Sequence, residues 1–304
     1  MNDKSSITMK EAGQKMTMKA GINIFSVYRE LGEDYFGTLR KVAEAGYENI
    51  ELIGFNMKSF TRYIDEIPME SLRDKCRELG LNAIAVHEGA KPGEDLNSND
   101  WDSLMRYYGG IGCERIVLPS VWISNREDTL RAAEQMNQIG KKMKDNGFRF
   151  YLHNHAHEFK SIGNETLFDV LLENTDPAYL KFEVDLAWVM RAGLDPVQVM
   201  TKLGDRCDII HQKDLAHELK GQLNILEAAE REGDNMQSPF EAYQKYVGPQ
   251  DFVDLGTGRF DFAGVYEQIR SMGHVQYALV ENEGESADKF SSIRQDLEII
   301  RKYI

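Results

Sequence analysis

The chain has 304 residues, of which 42% are hydrophobic and 28% are charged, and this composition is ordinary for a globular protein. Its formal net charge of −14 and sequence pI of about 5.0 disfavour nucleic acid or an anionic membrane surface as partners. No run approaches the roughly twenty apolar residues of a membrane span, and three cysteines without CxxC spacing favour a reducing, cytoplasmic location.

The N-terminus is polar, and no uninterrupted apolar core of a signal peptide is found there. We therefore expect residues 1–20 to form a polar N-terminal extension. A single catalytic domain is expected to follow over residues 21–304.

Eight short apolar runs are predicted as strands: 21–28, 49–55, 82–88, 115–120, 149–155, 181–188, 207–214 and 277–284. Amphipathic stretches between them, such as MESLRDKCRELG and FAGVYEQIRSMG, end in glycine and predict helices. Strands that alternate with helices form parallel sheets with right-handed crossovers. Eight such units in about 280 residues predict an α/β fold, the (β/α)₈ TIM barrel.

A long polar insertion follows the seventh predicted strand, from Leu215 to about Gly258. In a barrel it would lie over the C-terminal face, where active sites form. Two interpretations stay open: a surface elaboration, or a lid or wall of the active site.

Polar side chains accumulate where the last four predicted strands end. They are His153, His155, His157 and Glu158, then Asp185, then His211, Lys213 and Asp214, and finally Glu281 and Glu283. Buried carboxylates placed together are costly unless a cation compensates them. Mixed oxygen and nitrogen donors predict one divalent cation, with Mn²⁺ as the first expectation and Mg²⁺, Co²⁺, Fe²⁺ or Zn²⁺ as alternatives.

Several motifs resemble those of the xylose isomerase-like barrel superfamily in order and spacing: LHNHAHEF, EVDLAWVMRAGLDP, IIHQKD, LGTGRFDF and LVENE. The opening GINIFSVYRELGEDYFGTLRKVAEAGYENIEL is similar as well. The similarity is greatest to the sugar phosphate isomerase/epimerase branch, which includes inosose dehydratase-like proteins and lyases of 3-keto-glycosides. It covers essentially residues 20–304 and carries more information about fold and metal site than about substrate.

The resemblance implies a metal that is held by one residue from each of strands five to eight. Asp185, His211 and Glu281 match the last three ligand positions. At the first position, which is commonly glutamate, this chain has His153, and the nearest glutamate is Glu158. Either Glu158 reaches back to the metal or His153 is itself a ligand. We expect Glu158, because a hard cation prefers the additional carboxylate.

Acid–base catalysis is expected from the same strand ends. Alternate residues of a strand face the same way, so His153 and His155 would both face the barrel axis, where imidazoles suit proton transfer. The catalytic candidates are Glu158, Glu281, Lys213, His153 and His155. A salt bridge from Lys213 to Asp214 or Glu183 is the alternative for that lysine, and His157 is expected to be exposed or to lie behind the ligands.

Three further residues are candidates for substrate binding. Glu88 could bind sugar hydroxyls, Trp188 could stack on a sugar face, and Arg191 could bind an anionic group. Packing is the alternative for Trp188, and a surface salt bridge is the alternative for Arg191. The GTGRF segment is expected to form a simple turn before a helix, with a phosphate cradle as the alternative.

The expected function is a divalent-metal-dependent sugar isomerase or epimerase that abstracts a proton next to a carbonyl through an enediolate. A lyase or dehydratase of a keto-sugar, keto-inositol or 3-keto-glycoside could use the same site. An abasic-site endonuclease is disfavoured by the seven histidines and the negative charge. A sugar-binding barrel without catalysis stays open. The expected partner is a small carbohydrate, and a homo-oligomer is allowed.

Overall fold

The predicted strands close into one parallel barrel. The computed structural model describes residues 18–90 and 94–304. The barrel strands, numbered β1 to β8, are Lys19–Asn23, Asn49–Ile53, Asn82–His87, Arg115–Leu118, Arg149–His153, Lys181–Asp185, Ile209–Gln212 and Tyr277–Val280. Each strand pairs with its neighbour in chain order, and β8 closes on β1. The predicted TIM-barrel fold is confirmed.

Helices lie between the strands and around the barrel. The α-helices in the described residues are Tyr28–Leu31, Tyr35–Glu44, Tyr63–Glu66, Met69–Leu79, Trp101–Gly110, Arg126–Asp145, Leu167–Asn174, Leu186–Arg191, Pro196–Leu203, Ile225–Arg231, Pro239–Tyr246, Phe262–Met272 and Lys289–Ile300. Gly80 and Gly273 end two of the predicted helices with φ of 67° and 75°. Glycine adopts this left-handed conformation without the steric cost that a Cβ atom would bring.

The first strand begins earlier than the sequence predicted. Lys19 and Ala20 pair with Tyr277 and Ala278 of β8, so the barrel includes two residues that were assigned to the N-terminal extension. Residues 1–17, the main part of that predicted extension, lie outside the described residues.

The barrel interior changes from apolar to polar along its axis. An apolar cluster includes Ala85, Val117, Tyr151, Ile209 and Leu279. Two residues further along four of these strands stand His87, His153, His211 and Glu281. Side chains of a strand alternate between its two faces, so these polar residues also point into the barrel. They lie at the C-terminal ends of the strands, where TIM-barrel active sites are built.

The segment after β7 packs against the barrel. Its residues Asp214–Leu215 pair with Phe252–Val253 in an antiparallel arrangement. The helices Ile225–Arg231 and Pro239–Tyr246 lie between these two short strands in the chain, and they contribute buried side chains to the main hydrophobic core. The segment therefore forms part of the structure around the C-terminal ends of the strands.

Two further features bear on the expectations from composition. Cys76, Cys113 and Cys207 are buried and form no disulfide. Across residues 18–90 and 94–304, no helix has the length and apolar character that crossing a membrane requires.

Candidate metal centre

Four side chains from neighbouring strands converge at the C-terminal end of the barrel. His153 ends β5, Asp185 ends β6, His211 lies in β7 and Glu281 directly follows β8. All four are buried, and one potential ligand atom from each lies within 4.8 Å of the others. We call these four residues the upper cluster. Two imidazoles and two carboxylates form a donor set that suits a divalent transition-metal ion.

Two atoms of the upper cluster lack a hydrogen-bond partner. The Nε2 atom of His153 and the Oδ2 atom of Asp185 are buried and make no hydrogen bond, and they lie 3.5 Å apart. The ammonium group of Lys213 lies 3.3 Å from Asp185 Oδ2. The same Nε2 atom is 3.9 Å from Oε2 of Glu281. Buried polar atoms without a partner are costly, and a cation between them would satisfy both. The residues present therefore fit a divalent metal ion.

Hydrogen bonds outside the upper cluster orient its two imidazoles. His153 Nδ1 lies 3.2 Å from the carbonyl oxygen of Pro119, and His211 Nε2 lies 2.6 Å from Oε2 of Glu51. If each ring N–H donates to these acceptors, His153 Nε2 and His211 Nδ1 present lone pairs to the cluster. Histidines that bind metals are commonly held in this way by a carbonyl or carboxylate oxygen.

Glu158 lies outside the upper cluster, contrary to the expectation from the sequence. Its Oε2 atom accepts a hydrogen bond of 3.0 Å from the backbone N–H of His155 and lies 3.4 Å from His157 Nδ1. Burial raises the pKa of Glu158 to about 8. A protonated carboxyl group is a poor metal ligand. The structure places His153, the alternative left open by the sequence, beside the other three candidate ligands.

The two carboxylates of the upper cluster are ionised at neutral pH. Burial alone would raise the pKa of Asp185, but Lys213 and His153 together hold it below its ordinary value. Burial would also raise the pKa of Glu281. Lys213 and His211 outweigh this effect and hold that pKa well below its usual range. The cluster therefore offers two negative charges to a cation.

Lys213 forms ion pairs with carboxylates around the upper cluster. Its Nζ atom is 2.9 Å from Glu281 Oε2 and 3.3 Å from Asp185 Oδ2, and it also bonds to Glu283. Burial lowers the pKa of Lys213, but these three carboxylates raise it well above its ordinary value. The predicted salt bridges to Asp214 or Glu183 do not occur. Lys213 is instead a buried ammonium group beside the candidate ligands.

His155 stands next to the upper cluster and is partly exposed. Its ring centroid is 5.1 Å from that of His153 and 5.2 Å from that of Trp188, and its Nδ1 atom has no hydrogen-bond partner. Burial of the ring lowers the pKa of His155 well below its ordinary value, and the neighbouring His153, His157 and Lys213 lower it further. His155 is therefore neutral at neutral pH and able to accept a proton.

Trp188 and His157 are both buried. Trp188 packs against Tyr243 and Phe252 at centroid distances of 5.0 and 5.6 Å, so the packing alternative describes its surroundings better than an open sugar-binding face. Of the two expectations for His157, its burial excludes the exposed position and leaves the one behind the ligands; its ring bonds to the carbonyl oxygen of Val121 at 2.8 Å and to Tyr243 Oη at 2.6 Å. Tyr243 belongs to the insertion, which therefore forms a wall beside the cluster.

Glu88 is bound by protein groups rather than open to a sugar. Its carboxylate bonds to Arg62 and accepts a hydrogen bond of 2.9 Å from Tyr108 Oη. The same carboxylate accepts the backbone N–H of Gly89 at 3.0 Å. Glu88 is completely buried, so its predicted role in binding sugar hydroxyls is not supported. It holds the loop after β2 against the end of β3.

Arg191 is also completely buried, and it anchors the insertion. Its guanidinium lies 3.2 Å from Asp251 Oδ2 and donates hydrogen bonds to the carbonyl oxygens of Gln222 and Tyr246. Neither predicted role, an anion-binding group or a surface salt bridge, agrees with this burial. An arginine in this position stabilises the segment that contributes Tyr243.

The GTGRF segment is organised by an internal carboxylate. Asp214 accepts backbone N–H groups of Gly256 and Gly258 at 2.9 and 3.0 Å, and that of Phe260 at 3.0 Å. These amides are the donors that a phosphate would need. The turn predicted from the sequence is therefore formed around Asp214.

A second buried group was not identified from the sequence. We call Glu51, His87 and Glu183 the lower cluster. His87 Nε2 is 2.8 Å from Glu183 Oε2, and His211 Nε2 is 3.1 Å from the same oxygen. Burial and Glu183 raise the pKa of Glu51. The signal in the sequence was a glutamate inside each of two apolar strands, NIELI and KFEVD, at positions that face the barrel axis.

Comparison with known proteins agrees with this architecture. Residues 39–303 match the family model of the xylose isomerase-like TIM barrel. An inosose dehydratase from Geobacillus kaustophilus is 23% identical, over 84% of this chain and 83% of that protein. Another from Clostridium beijerinckii is 22% identical, over 92% of this chain and 86% of that protein.

A solved structure shows the same fold. A sugar phosphate isomerase/epimerase from Parabacteroides distasonis aligns with a TM-score of 0.69 and 22% identity, over 96% of this chain and 95% of that chain. At this identity the likeness concerns the fold alone. Through the match over most of its length, the chain belongs to the xylose isomerase-like TIM barrel family.

Proposed function

We propose that this protein is a divalent-metal-dependent enzyme that acts on a keto-sugar or keto-cyclitol. The reaction begins with removal of a proton next to the carbonyl group and ends with loss of a β-hydroxyl group or another β-substituent. The proposal rests above all on the buried atoms His153 Nε2 and Asp185 Oδ2, neither of which makes a hydrogen bond. The similarity of the chain to inosose dehydratases supports elimination as the outcome.

The upper cluster would hold the cation, with Mn²⁺ as the first candidate. When bound, a divalent cation polarises a carbonyl oxygen and stabilises the negative charge that develops on it. Asp185 and Glu281 supply the compensating negative charge from a buried position. Trp188 and Tyr243 restrict access of water to this end of the barrel, which strengthens the electrostatic interactions there.

His155 and Lys213 are the candidate proton-transfer groups. The neutral His155 ring accepts the proton when the C–H bond next to the carbonyl breaks. The electron pair of that C–H bond forms the new carbon–carbon double bond. As the C–O bond to the leaving group breaks, the Lys213 ammonium donates a proton to the departing oxygen, which leaves as water. Both groups contact the ring of Trp188, His155 at 5.2 Å and Lys213 Nζ at 5.7 Å.

An isomerase or epimerase would share the first step and differ in the second. Return of the proton to another carbon gives isomerisation, and return to the opposite face gives epimerisation. NMR of the reaction in deuterated water distinguishes these outcomes. The protein is incubated with Mn²⁺ and either an inosose or a panel of keto-sugars.

The proposal predicts exchange of the carbon-bound proton together with loss of water. Exchange with an isomeric product and no loss of water would replace elimination by isomerisation or epimerisation. The Asp185→Asn variant is the control, because it should fold normally and show no exchange. Absence of any exchange in the metal-loaded wild type would leave the sugar-binding barrel as the better account.

A further inference from the structure

Trp122 is an exposed aromatic residue at the entrance to the candidate metal centre. Its side chain is 45% exposed, whereas Trp101 and Trp188, the other two tryptophans of the chain, are 4% and 5% exposed. It lies in the loop after β4, at the same end of the barrel as the upper cluster. Exposed large aromatic residues next to a catalytic cleft often mark a ligand-binding surface.

The indole of Trp122 is held rigidly from one side. It stacks on the ring of His157 with centroids 5.4 Å apart and an angle of 17° between the planes. His157 is fixed in turn by its hydrogen bonds to Val121 and Tyr243. A rigid aromatic surface loses little conformational entropy when a ligand packs on it.

Phe240 forms a second side of this surface. It is 57% exposed and lies 6.1 Å from the indole of Trp122, with the ring planes at 85°. Phe240 comes from the insertion after β7, so two separate loops supply the pair. Perpendicular aromatic rings form an apolar corner that matches the flat, C–H-rich face of a sugar ring.

The aromatic corner is continuous with the candidate metal centre. The ring of His155 lies 6.1 Å from Trp122 on one side and 5.1 Å from His153 on the other. A ligand that extends from the upper cluster past His155 would therefore reach Trp122. A single sugar or cyclitol ring at the cluster would leave the corner uncovered.

A polar groove of about 500 Å³ is lined by residues that follow Trp122 and precede Phe240 in the chain. Residues that line it include Ser124, Asn125, Arg126, Lys160, Asn235 and Gln237. Arg126 forms an ion pair with Glu165, and Lys160 donates to the carbonyl oxygens of Ser124 and Asn235. Glu165 neutralises the charge of Arg126, and carbonyl oxygens occupy hydrogen-bonding positions of the Lys160 ammonium, so hydroxyl and amide groups supply most of the free hydrogen-bonding groups of the groove. This character favours a neutral polyol over a phosphate.

We propose that Trp122 and Phe240 form a second subsite that stacks on a neutral sugar ring linked to the reacting ring. The substrate of the proposed function would then be a glycoside or disaccharide derivative without a phosphate group. This inference rests on the proposed function for the position of the reacting ring, but binding at the corner can be measured without any turnover.

Acrylamide quenching of tryptophan fluorescence tests the inference, because Trp122 is the exposed tryptophan. The probes are neutral disaccharides (maltose, cellobiose, trehalose, sucrose and gentiobiose), compared with glucose, myo-inositol and glucose 6-phosphate in the presence of Mn²⁺. We expect at least one disaccharide to shield Trp122, while the single-ring compounds do not. The Trp122→Phe variant should lose the quenchable emission and identify its source.

Calorimetric titration of the shielding disaccharide gives the second readout. Truncation of an aromatic anchor in Trp122→Ala should weaken its binding about tenfold. Phe60→Ala, which removes another exposed aromatic residue from the loop after β2, should leave it unchanged. Shielding by glucose 6-phosphate alone, shielding by a single ring, or no shielding by any disaccharide would overturn the inference. The proposed function fails on separate measurements: the wild type would then bind no metal and would not exchange the carbon-bound proton in deuterated water.

Discussion

The buried atoms His153 Nε2 and Asp185 Oδ2, which make no hydrogen bond, link metal binding to stability. A buried polar atom without a hydrogen bond costs about 1–3 kcal/mol, and the nearby Lys213 ammonium reduces this cost for Asp185 Oδ2. A divalent cation removes both costs and binds the folded state in preference to the unfolded chain. Metal affinity and the free energy of unfolding should therefore change together when either residue is altered.

Glu51 should determine how strongly the upper cluster binds metal, although it is not itself a candidate ligand. It accepts the Nε2 proton of His211 at 2.6 Å and so turns Nδ1 towards Glu281. Loss of such a support lowers metal affinity by about 10–100-fold. We predict this loss for Glu51→Gln in a titration with Mn²⁺. Glu114→Gln, an exposed substitution just before β4, should bind like the wild type, and equal affinities in all three proteins would refute the role of Glu51.

Glu158 predicts a specific pH dependence of stability. Its pKa is raised from 4.5 to about 8, so the folded state holds the proton more tightly than the unfolded chain does. The stability that this proton contributes to the folded state is complete below pH 4.5 and is lost as the pH rises towards about 8. The free energy of unfolding then falls by at most about 1.4 kcal/mol per pH unit.

Urea unfolding of metal-free protein between pH 5 and about 8 measures this effect. Relative to the Glu158→Gln variant, the wild type should lose stability as the pH rises. Parallel stability curves for the two proteins would show that Glu158 is not held in its protonated form.

Local hydrogen bonding explains why Glu158 lies apart from the upper cluster, where the sequence led us to expect it. Its carboxyl group lies beside the backbone N–H of His155, three residues earlier, and a short turn over His157–Phe159 makes this contact favourable. Residue types favour a carboxylate ligand, but they contain no information about this turn. Asp185, His211 and Glu281 were expected together, and the structure brings them together because each lies at or near the C-terminal end of a strand of the same barrel.

At the scale of elements, the insertion contacts aromatic residues around the candidate site. Its helix Pro239–Tyr246 places Tyr243 against His157 and Trp188, and Phe240 beside Trp122. The sequence identified the segment and its position after β7, but it left its role open. Contacts between residues more than eighty positions apart, such as that of His157 with Tyr243, cannot be read from local patterns.

Arg191 should be the main anchor of the insertion. Arg191→Met removes the partner of buried Asp251, and loss of one member of a buried ion pair costs about 3 kcal/mol or more. We predict a lower urea midpoint and faster proteolysis within residues 215–258. Arg231→Met, which breaks an exposed pair with Glu227, is the control and should have little effect. Equal midpoints for both variants would contradict the anchoring role.

At the scale of the molecule, the alternation of strands and helices was sufficient to predict the barrel. Eight apolar runs separated by amphipathic segments have few other parallel arrangements, and closure of β8 on β1 follows from their number. The lower cluster was not predicted, because Glu51 and Glu183 meet only after β2 and β6 are brought to opposite sides of one barrel. The charges of Glu51 and Glu183 are buried only in the closed barrel, so patterns along the sequence do not reveal their contact.

Metal content of the purified protein tests the central claim most directly. The wild type, His153→Ala, Asp185→Ala and Glu158→Gln are supplied with Mn²⁺, dialysed and analysed for bound metal. We predict about one ion per chain in the wild type and in Glu158→Gln, and loss of the ion in the other two variants. Far-UV circular dichroism confirms that each variant is folded. Retention of the ion by His153→Ala together with its loss from Glu158→Gln would contradict this assignment, and absence of metal from the wild type would contradict the metal centre itself.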